Sequence, residues 1–128
     1  MHGSPEQRAA YLPRLARGES VATLAVTEPG AGSDVAAITT SAVRDGTGWR
    51  LNGRKMFITN AGLADALIVA AKTPPDAGRR GISMFLVEAP APGCHSARCC
   101  RRRAGTPPTP GRSSWTTWRC PPRACSAD

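Results

Sequence analysis

The chain reads as mainly β: an antiparallel β-barrel or sandwich preceded by one short helix and followed by a disordered tail. Three observations carry this. Short runs rich in Val, Ile, Leu and Thr recur between Gly, Pro, Asn and Asp breakers over residues 21–87. No long helical pattern alternates with them, so the βαβ arrangement of a parallel, doubly wound sheet is not expected. Finally, every Val, Ile, Leu, Met, Phe and Tyr lies before Gly93, leaving residues 94–128 with Ala, Cys and two Trp as their apolar content. Such a segment has little with which to build a core.

The opening helix is predicted from Ser4, an N-cap type followed by Pro5 at the first helical position, and from apolar residues at helical spacing through Leu15. Arg17-Gly18 marks its end. Residues 21–27 (Val-Ala-Thr-Leu-Ala-Val-Thr) suit a mostly buried strand that stops at Glu28-Pro29-Gly30. A second strand at residues 37–43 leads through Asp45-Gly46 to a third around Trp49 and Leu51. Asn52-Gly53 then predicts a hairpin into a strand over residues 54–59, because Asn-Gly between two such runs favours a tight turn with positive φ. Residues 66–71 and 82–87 complete about six strands, separated by the breaker-rich segment 73–78.

Charge divides where composition does. Residues 1–93 carry ten Lys or Arg against eight Asp or Glu, whereas residues 94–128 carry seven Arg against Asp128 alone, so the formal net charge of +8 is mostly a property of the tail. Arg101-Arg102-Arg103, with Trp115 and Trp118 for stacking, would allow non-specific nucleic-acid binding by a non-enzymatic product; a solvated arginine-rich tail is the plainer reading. All five cysteines lie there too, at Cys94, Cys99, Cys100, Cys120 and Cys125, and their spacing with His95 does not match a structural zinc site. No secretory signal is evident and no run approaches the ~20 apolar residues a membrane helix needs. The expected setting is the cytoplasm, with reduced thiols.

The sharpest local feature is Thr27-Glu28-Pro29-Gly30-Ala31-Gly32-Ser33-Asp34, where a strand enters a turn whose glycines let backbone N–H groups approach a ligand. Taken alone it suits a plain surface turn better than a ligand loop, because Gly, Pro and Asp are what any strand connection uses. It lacks the following helix of a dinucleotide fingerprint.

The segment Leu24-Ala25-Val26-Thr27-Glu28-Pro29-Gly30-Ala31-Gly32-Ser33-Asp34 resembles the signature of acyl-CoA dehydrogenases. Gly3-Ser4-Pro5-Glu6-Gln7, Tyr11-Leu12-Pro13-Arg14-Leu15 and Gly18-Glu19 are similar to that family's lead-in. Residues 51–60 (Leu-Asn-Gly-Arg-Lys-Met-Phe-Ile-Thr-Asn) and 81–88 (Gly-Ile-Ser-Met-Phe-Leu-Val-Glu) resemble its next two blocks. The resemblance implies the family's flavin-binding middle β-domain and FAD-dependent α,β-dehydrogenation of an acyl-CoA. It places Leu24, Ala25, Val26, Thr27, Gly32 and Ser33 along the FAD isoalloxazine, Ser33 toward the acyl-CoA, and Phe57, Ile58 and Thr59 on a second wall. A flavin needs a flat apolar face and hydrogen bonds at its polar edge; Phe57 offers the first, Thr27 and Thr59 the second. The family more often has Trp at Phe57, and a buried strand aromatic is the competing reading of this residue.

The implied organisation is the end of a helical region at 1–19, an incomplete flavin-binding β-domain at 20–93, and an out-of-frame tail at 94–128. The family's catalytic carboxylate belongs to a C-terminal helical bundle, so no catalytic residue is assigned here, and Glu28 is expected to be an ordinary turn carboxylate. The fragment is accordingly expected to be inactive alone, prone to aggregation through open strand edges, and outside the homo-oligomer typical of the intact family. Reading each tail codon's last base with the next two tests the frame shift. Ala104-Gly105-Thr106 then permits Gly-Trp-His, residues 107–110 permit Ala-Ser-Asp-Thr, and Trp115-Thr116 forces an Asp. These resemble the family's continuation.

Overall fold

In the computed structural model, residues 3–46, 48–73 and 78–89 are described, together with the backbone of residues 117–120. Helix α1 (Pro5–Ala16) begins as the sequence indicates: Ser4 Oγ accepts from Gln7 N at 3.3 Å, and Gln7 Oε1 accepts from Ser4 N at 2.9 Å. This reciprocal box satisfies backbone donors that the first helical turn leaves free. Arg17 closes the helix, and Gly18 follows at φ 70°. Tyr11 Oη donates to Glu88 Oε1 at 2.7 Å and so ties the helix to the sheet. Burial and the Glu88 carboxylate together push the Tyr11 phenol up to about 12.

Six strands form one sheet that does not close among the described residues: β1 (Ala22–Ala25), β2 (Ser41–Asp45), β3 (Gly48–Asn52), β4 (Ala66–Lys72), β5 (Ile82–Glu88) and β6 (Thr117–Cys120). The long strand β4 is the hub. One of its edges pairs antiparallel with the whole of β5, Ala66 opposite Glu88 and Lys72 opposite Ile82. It also pairs in parallel with β1, Ala22 through Ala25 lying beside Ala66 through Val69, and meets β2 at Ser41 and Lys72. β2 and β3 form the hairpin, with Asp45 opposite Gly48 and Gly46 at φ 63°.

Most pairings are antiparallel, as expected, but β1–β4 and the single β2–β4 bridge are parallel. The Asn52-Gly53 hairpin is not formed, and residues 53–60 are not a strand. Gly53 serves close approach instead; a Cβ there would lie 2.2 Å from Thr40 Oγ1 and 2.7 Å from Thr40 Cα. The 3₁₀ turn Val35–Ala37 precedes β2, which therefore begins later than expected. The expectation of a disordered tail falls mostly outside the described residues; within it, the backbone of β6 pairs antiparallel with β3, Cys120 opposite Trp49.

The core is gathered on β4 and β5. Leu67, Val69, Phe85 and Val87 pack with Ala25, Ala42, Leu51 and Ile58, each nearly removed from water. Burying the Leu, Val, Ile and Phe side chains among them contributes about 1.5–3 kcal/mol each. Trp49 meets Phe85 edge-on at 5.2 Å, and the Arg44 guanidinium covers the Trp49 ring at 4.4 Å. A second cluster of Ala31, Ile38 and Ala70 lies under the loop that leaves β1. No helix among the described residues is long and apolar enough to cross a membrane.

Candidate functional site

The site begins where β1 ends. After Ala25 the backbone leaves the ladder and folds into a tight turn, Glu28 N donating to Ala31 O at 2.9 Å and Ala31 N to Glu28 O at 3.2 Å. Gly32 and Ser33 follow, exposed, and Asp34 caps the next turn by accepting from Ala36 N at 3.1 Å. A Cβ built on Gly30 or Gly32 would meet no protein atom within 4 Å, so the protein's own packing does not require glycine at either position.

The second wall is the non-strand segment 53–60. Met56 N donates to Thr27 O at 2.8 Å, Lys55 Nζ to Val26 O at 2.9 Å, and Thr23 Oγ1 to Thr59 O at 2.5 Å. Between these anchors Phe57 has φ 59°, and Asn60 just beyond has φ 58°. For a bulky aromatic this left-handed conformation is an outlier that persists only when its surroundings enforce it. It turns Ile58 into the core, 2% exposed, and leaves Phe57 51% exposed. Phe57 is therefore neither buried nor part of a strand.

Below both walls lies a buried ion pair. Lys55 Nζ stands 2.8 Å from Glu28 Oε1, with side-chain exposures of 0% and 2%. The carboxylate also accepts from Thr39 N at 2.6 Å, Thr39 Oγ1 at 2.7 Å, Thr40 N at 2.9 Å and Thr40 Oγ1. Burial alone would push Glu28 up; the hydrogen bonds from Lys55, Thr40 and Thr39 outweigh it and hold the carboxyl at about 2. Burial pushes the Lys55 ammonium down from its ordinary value, against the pull of Glu28. Glu28 is thus no solvated turn carboxylate. A group so deeply buried, fully bonded and acidic is unsuited to accepting a proton from a substrate at neutral pH.

The residues read from the sequence fall into two sets. Leu24, Gly32, Ser33, Phe57 and Thr59 are exposed, and Val26 and Thr27 half-buried, around one junction. Ala25 and Ile58 direct their side chains into the core, so any part they take at a ligand runs through their backbone. Sequence reasoning missed Lys55, Thr23, Thr39 and Thr40, which join the walls through contacts between residues far apart in the chain. Beside the junction, a cavity of about 380 Å³ is lined by Glu28, Pro29, Gly30, Thr39, Gly53 and Arg54. An apolar cavity of about 430 Å³ lies elsewhere, between α1 and the outer face of β4 and β5, and none of the expected contact residues lines it. Among the described residues no three His, Cys, Asp or Glu side chains are grouped to hold a metal.

Residues 23–113 match the model of the acyl-CoA dehydrogenase middle domain. The chain belongs to the acyl-CoA dehydrogenase family. It is 47% identical over 91 residues to an acyl-CoA dehydrogenase of Bacillus subtilis (strain 168), covering 71% of this chain and 24% of that protein. The chain thus spans about a quarter of the length of the curated relatives it matches. The fold is similar to the acyl-CoA dehydrogenase from Geobacillus kaustophilus, with TM-score 0.87 and 37% identity over 99% of this chain and 34% of the other. It is also similar to a glutaryl-CoA dehydrogenase from Mycobacterium smegmatis in complex with FADH2, with TM-score 0.78 and 38% identity over 96% and 31%. Both walls of the junction lie inside the matched span, which continues past the break in composition at Gly93.

Proposed function

We propose that this chain supplies the flavin-contacting walls of an FAD-dependent acyl-CoA dehydrogenase, which removes hydrogen from the α and β carbons of an acyl-CoA thioester. The observation that carries this reading is the junction itself: the two segments that the family resemblance assigns to the flavin, far apart in the chain, are stitched together at Met56–Thr27 and Lys55–Val26.

The residues present fit the cofactor. Phe57 offers a half-exposed aromatic ring on an enforced backbone, Leu24 an exposed apolar side chain, and Thr27 and Thr59 hydroxyls at the same junction. The open space at Gly30 and Gly32 lets backbone N–H groups reach a polar edge. Bound there, FAD supplies the electron acceptor. The chain orients the ring, shields one face from water, and presents Ser33 on the side proposed for the acyl-CoA. The base that takes the α-proton is proposed to come from outside the described residues: Glu28 is spent on Lys55, Thr39 and Thr40, and Asp34 on its own turn.

Titrating the purified 128-residue chain with FAD and following flavin fluorescence tests this reading; saturable quenching is expected, and its absence would defeat it. Acyl-CoA-dependent dye reduction is expected to be nil, and turnover by the chain alone would overturn the assignment of the base. We further propose that the segment beyond Gly93 is the same domain read out of frame. A gene sequence in which no single-base insertion or deletion near Gly93 restores the family's reading would rule this out.

A further inference from the structure

Burying an ion pair is an expensive way to hold a fold together. Desolvating the two charges costs several kcal/mol per ion before their attraction is counted, and apolar replacements of similar volume are often no less stable. The position of Glu28–Lys55 suggests what it does instead. β1 stops pairing at Ala25 and β3 at Asn52, so no ladder joins residues 26–28 to residues 54–60. The link is made by Lys55, which bonds Val26 O and Glu28 at once, and by Met56 N, which bonds Thr27 O. Glu28 is itself fixed from the far side by the backbone and hydroxyls of Thr39 and Thr40. Two residues after Lys55 comes Phe57 in its left-handed conformation, and two further on Thr59 O is held by Thr23.

We infer that the buried Glu28–Lys55 pair is a positioning pair for the flavin wall: it anchors the entrance of segment 55–60, Thr23 anchors its exit, and the two together hold Phe57 in its strained, half-exposed pose. The inference rests on the flavin reading for its purpose but not for its mechanics. Neither charged group meets the ligand; both act through Phe57 and Thr27. With the entrance anchor gone, the left-handed backbone at Phe57 relaxes, and the ring no longer presents a preorganised face.

The chain contains two phenylalanines, Phe57 at the wall and Phe85 in the core, so fluorophenylalanine labelling gives one ¹⁹F resonance for each. In the Glu28→Gln/Lys55→Met double variant, which roughly keeps side-chain volume while removing both charges and the Lys55 bonds to Val26 O and Glu28, the Phe57 resonance is expected to move toward the free amino-acid position. Phe85 should stay in place, and FAD affinity should fall at least tenfold. Unchanged Phe57 shift and affinity would overturn the inference. Collapse of both resonances would overturn it equally, because the pair would then be holding the core. A wild-type chain that binds no FAD, yet whose Phe57 resonance moves in the ligand-free double variant, would sink the flavin reading and leave the positioning role standing.

Discussion

The β4–β5 pair and the junction at residues 23–60 keep their shape by opposite means. Along β4 and β5 the side chains are apolar, the register is continuous, and stability comes from removing Leu67, Val69, Phe85 and Val87 from water. At the junction the ladder has ended, and the order comes from a carboxylate, an ammonium, three threonines and a few backbone bonds. Apolar burial is strong but non-directional, whereas a saturated polar joint is costly and specifies one geometry. The two regions divide the labour: the sheet provides stability, and the joint fixes one geometry for the segments proposed to face the flavin.

Substitutions should separate the two regions. The largest loss is expected from Phe85→Ala, which leaves a cavity beside Trp49 and should cost about 3–5 kcal/mol in chemical denaturation. Gly53→Ala comes next. Its methyl would collide with the backbone and side chain of Thr40 next to the ion pair, a cost of about 1–3 kcal/mol, accompanied by loss of FAD binding.

Acid should act on the joint before the sheet. Because Glu28 titrates at about 2 in the fold against 4.5 ordinarily, its contribution is complete above pH 4.5 and is lost as pH falls toward 2. Glu28→Gln should therefore flatten the decline of melting temperature with pH in that window, and an unaltered slope would show that another carboxylate governs it. The smallest effect on stability is expected from Gly32→Ala, within about 0.5 kcal/mol of the parent. The same change should weaken FAD binding, because the added methyl fills space left for a ligand.

The regular elements were legible in the sequence wherever the signal is local. Ser4 and Pro5 announce α1, and the apolar runs announce β4 and β5 to within a residue of their observed ends. The proposed flavin contacts rest on family resemblance alone, since Gly32-Ser33 by itself suits any turn. The joint was not legible. Lys55 sits among residues that read as the second strand of an Asn52-Gly53 hairpin, although Gly53 is there to let Thr40 approach. Glu28 finds its partners 11, 12 and 27 residues away, a separation that spacing rules do not reach. The parallel β1–β4 pairing was hidden for the same reason.

Segments 24–33 and 57–59 are proposed to form one flavin wall, and the two phenylalanines report on it separately from the core. On adding FAD to the fluorophenylalanine-labelled chain, the Phe57 resonance should shift in proportion to saturation while Phe85 remains fixed. A Phe57 resonance that stays put while FAD binds would place the flavin elsewhere and rule out this wall.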